Sequence, residues 1–264
     1  MRKFLFFSYL FITLVMISGC SPSPIPIQHT ATTFPITNVT CHELTFYLDP
    51  ALGTNVACET MPEVSSSDIP VNYPFIYPTH IELTIQDYPM SGTQFPPQIW
   101  IYPLDRYGEL LPAIISPRLT DLKGLIEGKP LTSKEMPFLP PIPQIQSFHL
   151  HEIPLSFKGG AGVRYITVYS DGPHPITNKN IVYTFQGLTG DGKYWVAMTL
   201  PISNPILPAD YDVFPEGYTR ESLIQNHAAY VLEIEGQLIA QDPSSYFPAL
   251  IDLDDLVRSI TVKD

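Results

Sequence analysis

The run His149-Leu150-His151-Glu152 gathers side-chain types that bind metals or move protons. Side chains two apart on a strand share a face. An extended segment therefore sets His149 and His151 side by side, as two imidazoles for a divalent metal with a carboxylate supplied from elsewhere. Two ligands fall short of a site, and Ile153, Leu155 and Phe157 have the same parity. The expected place of both histidines is the polar rim of a core, with no metal. Arg164 stands in an apolar run beside Tyr165, where a buried guanidinium needs a partner. Trp195 belongs to the aromatic set Tyr183, Phe185, Tyr194 and Trp195, which either lines a ligand groove or forms the apolar face of a hairpin. His149, His151, Arg164 and Trp195 are the pocket candidates.

Other chemistry is argued against residue by residue. Lys158-Gly159-Gly160-Ala161-Gly162 lacks the Gly-Lys-Ser/Thr ending of a phosphate loop and leads into a strand, so no helix N-terminus waits for phosphate; it reads as a flexible turn. Asp252, Asp254 and Asp255 miss the spacing and the glycine of an EF-hand loop, and acids in the first turn of a helix match its dipole. The chain has no Gly-x-Ser-x-Gly elbow, no Ser-x-x-Lys and no His-Glu-x-x-His. No catalytic residue, cofactor or metal is assigned. A triad assembled from distant positions leaves no local signature, so a hydrolase with a dispersed active site stays open.

The elements that must hold these residues are mostly strands. Leu44, Phe46 and Leu48 alternate with polar neighbours, as do Ile81, Leu83 and Ile85 with His80, Glu82, Thr84 and Gln86. Further strands are expected near 55–59, over 98–102, 148–157 and 163–170, and over 181–189 with 193–201 joined at Asp191-Gly192, the strongest hairpin signal in the chain. Helices are expected from Asp105 to Leu111, after the N-cap pair Ser116-Pro117, from Thr219 to about Ala240, and from Asp252 to Arg258. In the long helix Leu223, His227, Tyr230, Val231, Ile234 and Leu238 share a face. Residues 129–147 hold too many prolines for an element and read as an ordered, draping loop. Hairpins with helices between and after them give an α+β class: a mainly antiparallel sheet, flanking helices and long proline-rich loops.

The N-terminus is an address. Arg2 and Lys3 precede an apolar stretch that ends at Ile17, too short to span a bilayer. Ile17-Ser18-Gly19-Cys20 resembles the lipobox of bacterial lipoproteins, with Ile where Leu is commonest. The resemblance implies cleavage before Cys20, diacylglycerol on its sulfur and an acylated amine, and two or three chains anchor a protein stably. Residues 1–19 are then a signal peptide. Residues 20–40, opening Ser-Pro-Ser-Pro-Ile-Pro, are a tether, and 41–264 form a single exported domain on the outer face of a cell membrane or outer membrane. With Cys20 acylated, Cys41 and Cys58 remain to form a disulfide in an oxidising compartment. The formal charge of −12 becomes two units more negative once Arg2 and Lys3 leave, which argues against nucleic acid as a partner.

The C-terminal half is similar to the PsbP/Mog1-like fold. The shared features are the long strands over 163–170 and 181–201 and the helix running into Leu256-Val257-Arg258-Ser259-Ile260, while the long proline loop is a departure. Members of that fold bind partners or serve in assembly, and an analogy of fold does not carry function by itself. The expectation is a membrane-anchored lipoprotein that binds an envelope protein or ligand without catalysis. The alternatives are a surface hydrolase and a structural or assembly factor.

Overall fold

Strand formation follows the alternation in sequence, and what lies on each face decides the layers. The computed structural model describes residues 37–65 and 75–263. The leader, the lipobox with Cys20, the tether through residue 36 and part of the proline- and serine-rich loop over 62–78 lie outside the described residues. Ten strands and five α-helices occur in the order β1 (Thr37–Cys41), β2 (Leu44–Leu48), β3 (Asn55–Met61), β4 (His80–Gln86), β5 (Gln98–Pro103), α1 (Leu104–Leu110), α2 (Pro112–Ile126), β6 (Ile145–Phe157), β7 (Gly160–Ser170), β8 (Ile181–Thr189), β9 (Tyr194–Pro201), α3 (Arg220–Gln225), α4 (His227–Ile239), α5 (Leu250–Ser259) and β10 (Thr261–Val262). The fold is α+β. A seven-stranded sheet runs β3-β4-β5-β9-β8-β7-β6 and a three-stranded one β1-β2-β10, and every pairing within them is antiparallel.

Both faces of the large sheet are covered. In β5, Ile99 and Ile101 join the core under α3, α4, α5 and β2, whereas Trp100 and Tyr102 join a second core under α1 and α2. In β9, Val196, Met198 and Leu200 go to the first and Trp195 and Ala197 to the second. Central strands therefore read as continuous apolar runs, because neither face meets water. The disulfide Cys41–Cys58 ties β1 of the small sheet to β3 at the edge of the large one.

Several boundaries differ from the sequence expectation, among them β6 from Ile145, β7 from Gly160 and the last helix from Leu250. β1 takes in Thr37–Thr40, which composition assigns to the tether; pairing with β2 supplies the partners that local sequence does not show. The second helix starts at Pro112, with Pro117 inside it. Pro117 and Ala113 both lie at the solvent face, so the carbonyl that loses its amide partner can still be hydrated. The long helix breaks at Asn226 (φ −115°, ψ 23°), whose side-chain amide donates to Ser222 O and competes with the helical ladder. Its start is as expected: Thr219 Oγ1 accepts from Ser222 N and Ser222 Oγ accepts from Thr219 N.

The glycine-rich run is an ordered hairpin. Only Gly159, at φ +94°, needs the left-handed region. Gly162 lies within β7 opposite Gly187, and a Cβ on it would stand 2.3 Å from Gln186 O and 2.5 Å from Gly187 Cα. Both contacts are backbone and cannot rotate away. Gly162→Ala is expected to lower stability by about 1–3 kcal/mol, the usual range for overpacking. Urea unfolding should read it as a lower midpoint with an unchanged slope.

Candidate functional site

Of the four pocket candidates only Arg164 and His151 meet, through the backbone carbonyl of His151, and they form no common pocket with His149 and Trp195. β6 carries a bulge: Leu150 pairs with Ile166 and Ile153 with Arg164, so His151 and Glu152 together face Tyr165. The bulge changes the parity of the strand. Phe148 and Leu150 are buried before it, and Leu155 and Phe157 after it. The uniform alternation that places His149 and His151 on one face with Ile153 therefore fails here. His149 Nδ1 meets Glu152 Oε1 at 2.5 Å at the surface, while His151, at φ +57°, bonds Leu238 O at 3.3 Å and lies edge-on to Tyr246. Trp195 is fully buried, and its Nε1 donates to Gln186 Oε1 at 2.8 Å.

Arg164 is buried and has its partner. Its Nε and one terminal nitrogen each reach an oxygen of Asp254 at 3.0 Å, and the other terminal nitrogen donates to His151 O at 2.5 Å. Tyr183 Oη donates to Asp254 Oδ1 at 2.9 Å. This buried ion pair joins α5 to β7, β8 and the bulge of β6. Removing one charge strands the other in the core. Asp254→Ala is expected to cost about 3–5 kcal/mol, whereas the combined Arg164→Met, Tyr183→Phe, Asp254→Leu chain should lose far less. Chemical unfolding of the two proteins checks the contrast.

A groove rich in aromatic and proline surface forms where β4 and β5 meet the proline segment. Register places Glu82 opposite Trp100. Glu82 Oε2 accepts from Trp100 Nε1 at 3.0 Å, and Oε1 accepts from Gln98 Nε2 at 2.6 Å. The ring of His80 lies 4.6 Å from that of Tyr102 and 5.0 Å from Tyr77, the latter edge-on. Pro140, Pro141, Pro143 and the exposed Phe75 complete the lining of this open groove, whose volume is about 320 Å³. The proline segment is held without secondary structure by side chains of the sheet. Gln146 Oε1 accepts from Met136 N, Gln186 Oε1 from Leu139 N, and Tyr165 Oη donates to Pro137 O.

His80 Nδ1 faces Pro78 O at 2.8 Å, so the proton sits on Nδ1. Burial outweighs this bond and the nearby Glu82 and lowers the imidazole pKa, leaving the ring neutral at pH 7. The sign of the linkage follows. Above pH 6.5 neither the folded nor the unfolded chain protonates this ring. Below it the unfolded chain takes the proton first, so stability falls until the pH passes the lowered folded value. A Tm profile should fall across that window, and His80→Phe should flatten that part of the slope.

Two larger grooves, of about 470 Å³ each, differ in character. One lies between α4 and the start of β6, with Ile145 and Leu232 at its surface. The other is polar and contains Ser170, Asp171 and His174. His174 faces Asp171 at 3.2 Å, while Ser170 Oγ is bonded to Gly172 O and Gly172 N, which gives no serine–histidine relay. The metal-type group Cys41, His42 and Cys58 has two of its members joined in the disulfide. No helix among the described residues is long and apolar enough to cross a membrane.

No family model, curated protein or solved structure matches the chain. The aromatic groove was not among the sequence candidates. Its signal was present in halves: His80 and Glu82 on one face of β4, Trp100 and Tyr102 on one face of β5. Only the pairing of β4 with β5 makes them one surface.

Proposed function

We propose that the chain is an extracytoplasmic lipoprotein, anchored by lipid on Cys20, whose domain binds a partner through the groove between β4, β5 and the proline segment. The observation that carries this reading is the lining of the groove. Its walls are rings and prolines, and among the described residues its ionisable groups apart from tyrosine hydroxyls are His80 and Glu82, both engaged by neighbours. That is a surface for recognition, with large rigid contact area and no nucleophile beside a base. The lipobox motif, the proline-rich stretch after it and the Cys41–Cys58 bridge support an exported setting.

Affinity capture of the native protein from its own membrane, read by mass spectrometry, tests both halves. The expected result is a mature chain beginning at acylated Cys20 and a co-purifying partner lost in Phe75→Ala and Tyr77→Ala chains. A chain still beginning at Met1 would sink the anchor, and a partner retained by both variants would sink the groove.

A further inference from the structure

Resting on that reading, we infer that the occupant of the groove is an extended, proline-rich peptide with a cationic residue at one flank. The groove's own lining already combines proline with rings: Pro140, Pro141 and Pro143 line it together with Tyr77, His80, Trp100 and Tyr102. Phe75, 63% exposed, adds a further ring to that lining. A polyproline II strand suits such a place for two reasons. It is ordered before it binds, so little conformational entropy is lost. Its flat pyrrolidine faces also pack on aromatic rings, the mode by which aromatic-lined grooves take proline-rich segments. The volume of about 320 Å³ lies at the small end for a ligand site and admits only a short stretch of chain.

Charge selects the flank. Among the described residues Glu82 is the only carboxylate in the lining and no lysine or arginine lines the groove, and His80 is neutral. The chain as a whole is acidic, at −12. A peptide bearing arginine meets a complementary field at Glu82 and over the surface, while an acidic peptide is repelled.

The test uses the full mature chain and short capped peptides that repeat Pro-Pro-Ile-Pro and end in arginine. Calorimetry gives the affinity, and NMR of the two indole N–H signals gives the place. Saturable binding is expected, moving the Trp100 signal and leaving the buried Trp195 signal still. Replacing the prolines by alanine, or arginine by glutamate, should weaken binding at least tenfold. The exposed Phe75→Ala change, which should leave the fold intact, should do the same. Binding that survives the alanine peptide, or that leaves Trp100 unmoved, overturns the inference. Failure of every proline peptide, while Phe75→Ala still loses the partner captured from membranes, would overturn the peptide class alone and leave the groove's binding role in place.

Discussion

The buried contact between Arg164 and Asp254 is the constraint around which the large sheet and its C-terminal helix are arranged. Two opposite charges in a core are tolerable only when every oxygen and nitrogen is answered. Here Asp254 receives the guanidinium and the Tyr183 hydroxyl, and Arg164 spends its remaining terminal nitrogen on the carbonyl of His151. That last bond requires the carbonyl to turn inward, which the bulge in β6 permits. The bulge in turn shifts the parity of the strand, so that Phe148 and Leu150 before it and Leu155 and Phe157 after it all reach the same core. A charge pair, a backbone irregularity and the apolar packing of an edge strand are thus one arrangement.

The other face of the sheet solves a different problem. A segment rich in proline cannot donate enough amides to form helix or sheet, and burying it would leave its carbonyls and few N–H groups without partners. The sheet answers with side chains. Gln146, Gln186 and Tyr165, all buried, bond the backbone at Met136, Leu139 and Pro137. Gln186 also holds the Trp195 indole, so the loop and the second core share one polar centre. These bonds hold the segment that leads into Pro140, Pro141 and Pro143, which line the groove with Trp100 and Tyr102.

Much of the fold was legible. The strands at 44–48, 80–86 and 181–201, the Asp-Gly hairpin and the buried face of the helix after Thr219 follow from alternation, turn chemistry and capping. Each depends on neighbours a few residues away. The departures share a physical cause. β1 is a strand because β2 lies beside it, Pro117 is tolerated in a helix because Ala113 and Pro117 both face water, and His149 and His151 part because a carbonyl is drawn toward Arg164. Such partners are distant in the chain, and local pattern carries no trace of them. The same holds for Trp195: its aromatic character was plain, but whether it met a ligand or the core depended on α1 and α2 covering that face.

The sequence by itself determined the alternation of most strands and the need of a buried Arg164 for a partner, because short-range sterics and charge burial are local properties. Tertiary structure alone decided that Asp254 is that partner. It alone turned half-faces of two strands and a run of prolines into one groove. Those outcomes depend on strand order and register, which bring together residues whose separation along the chain says nothing of their separation in space.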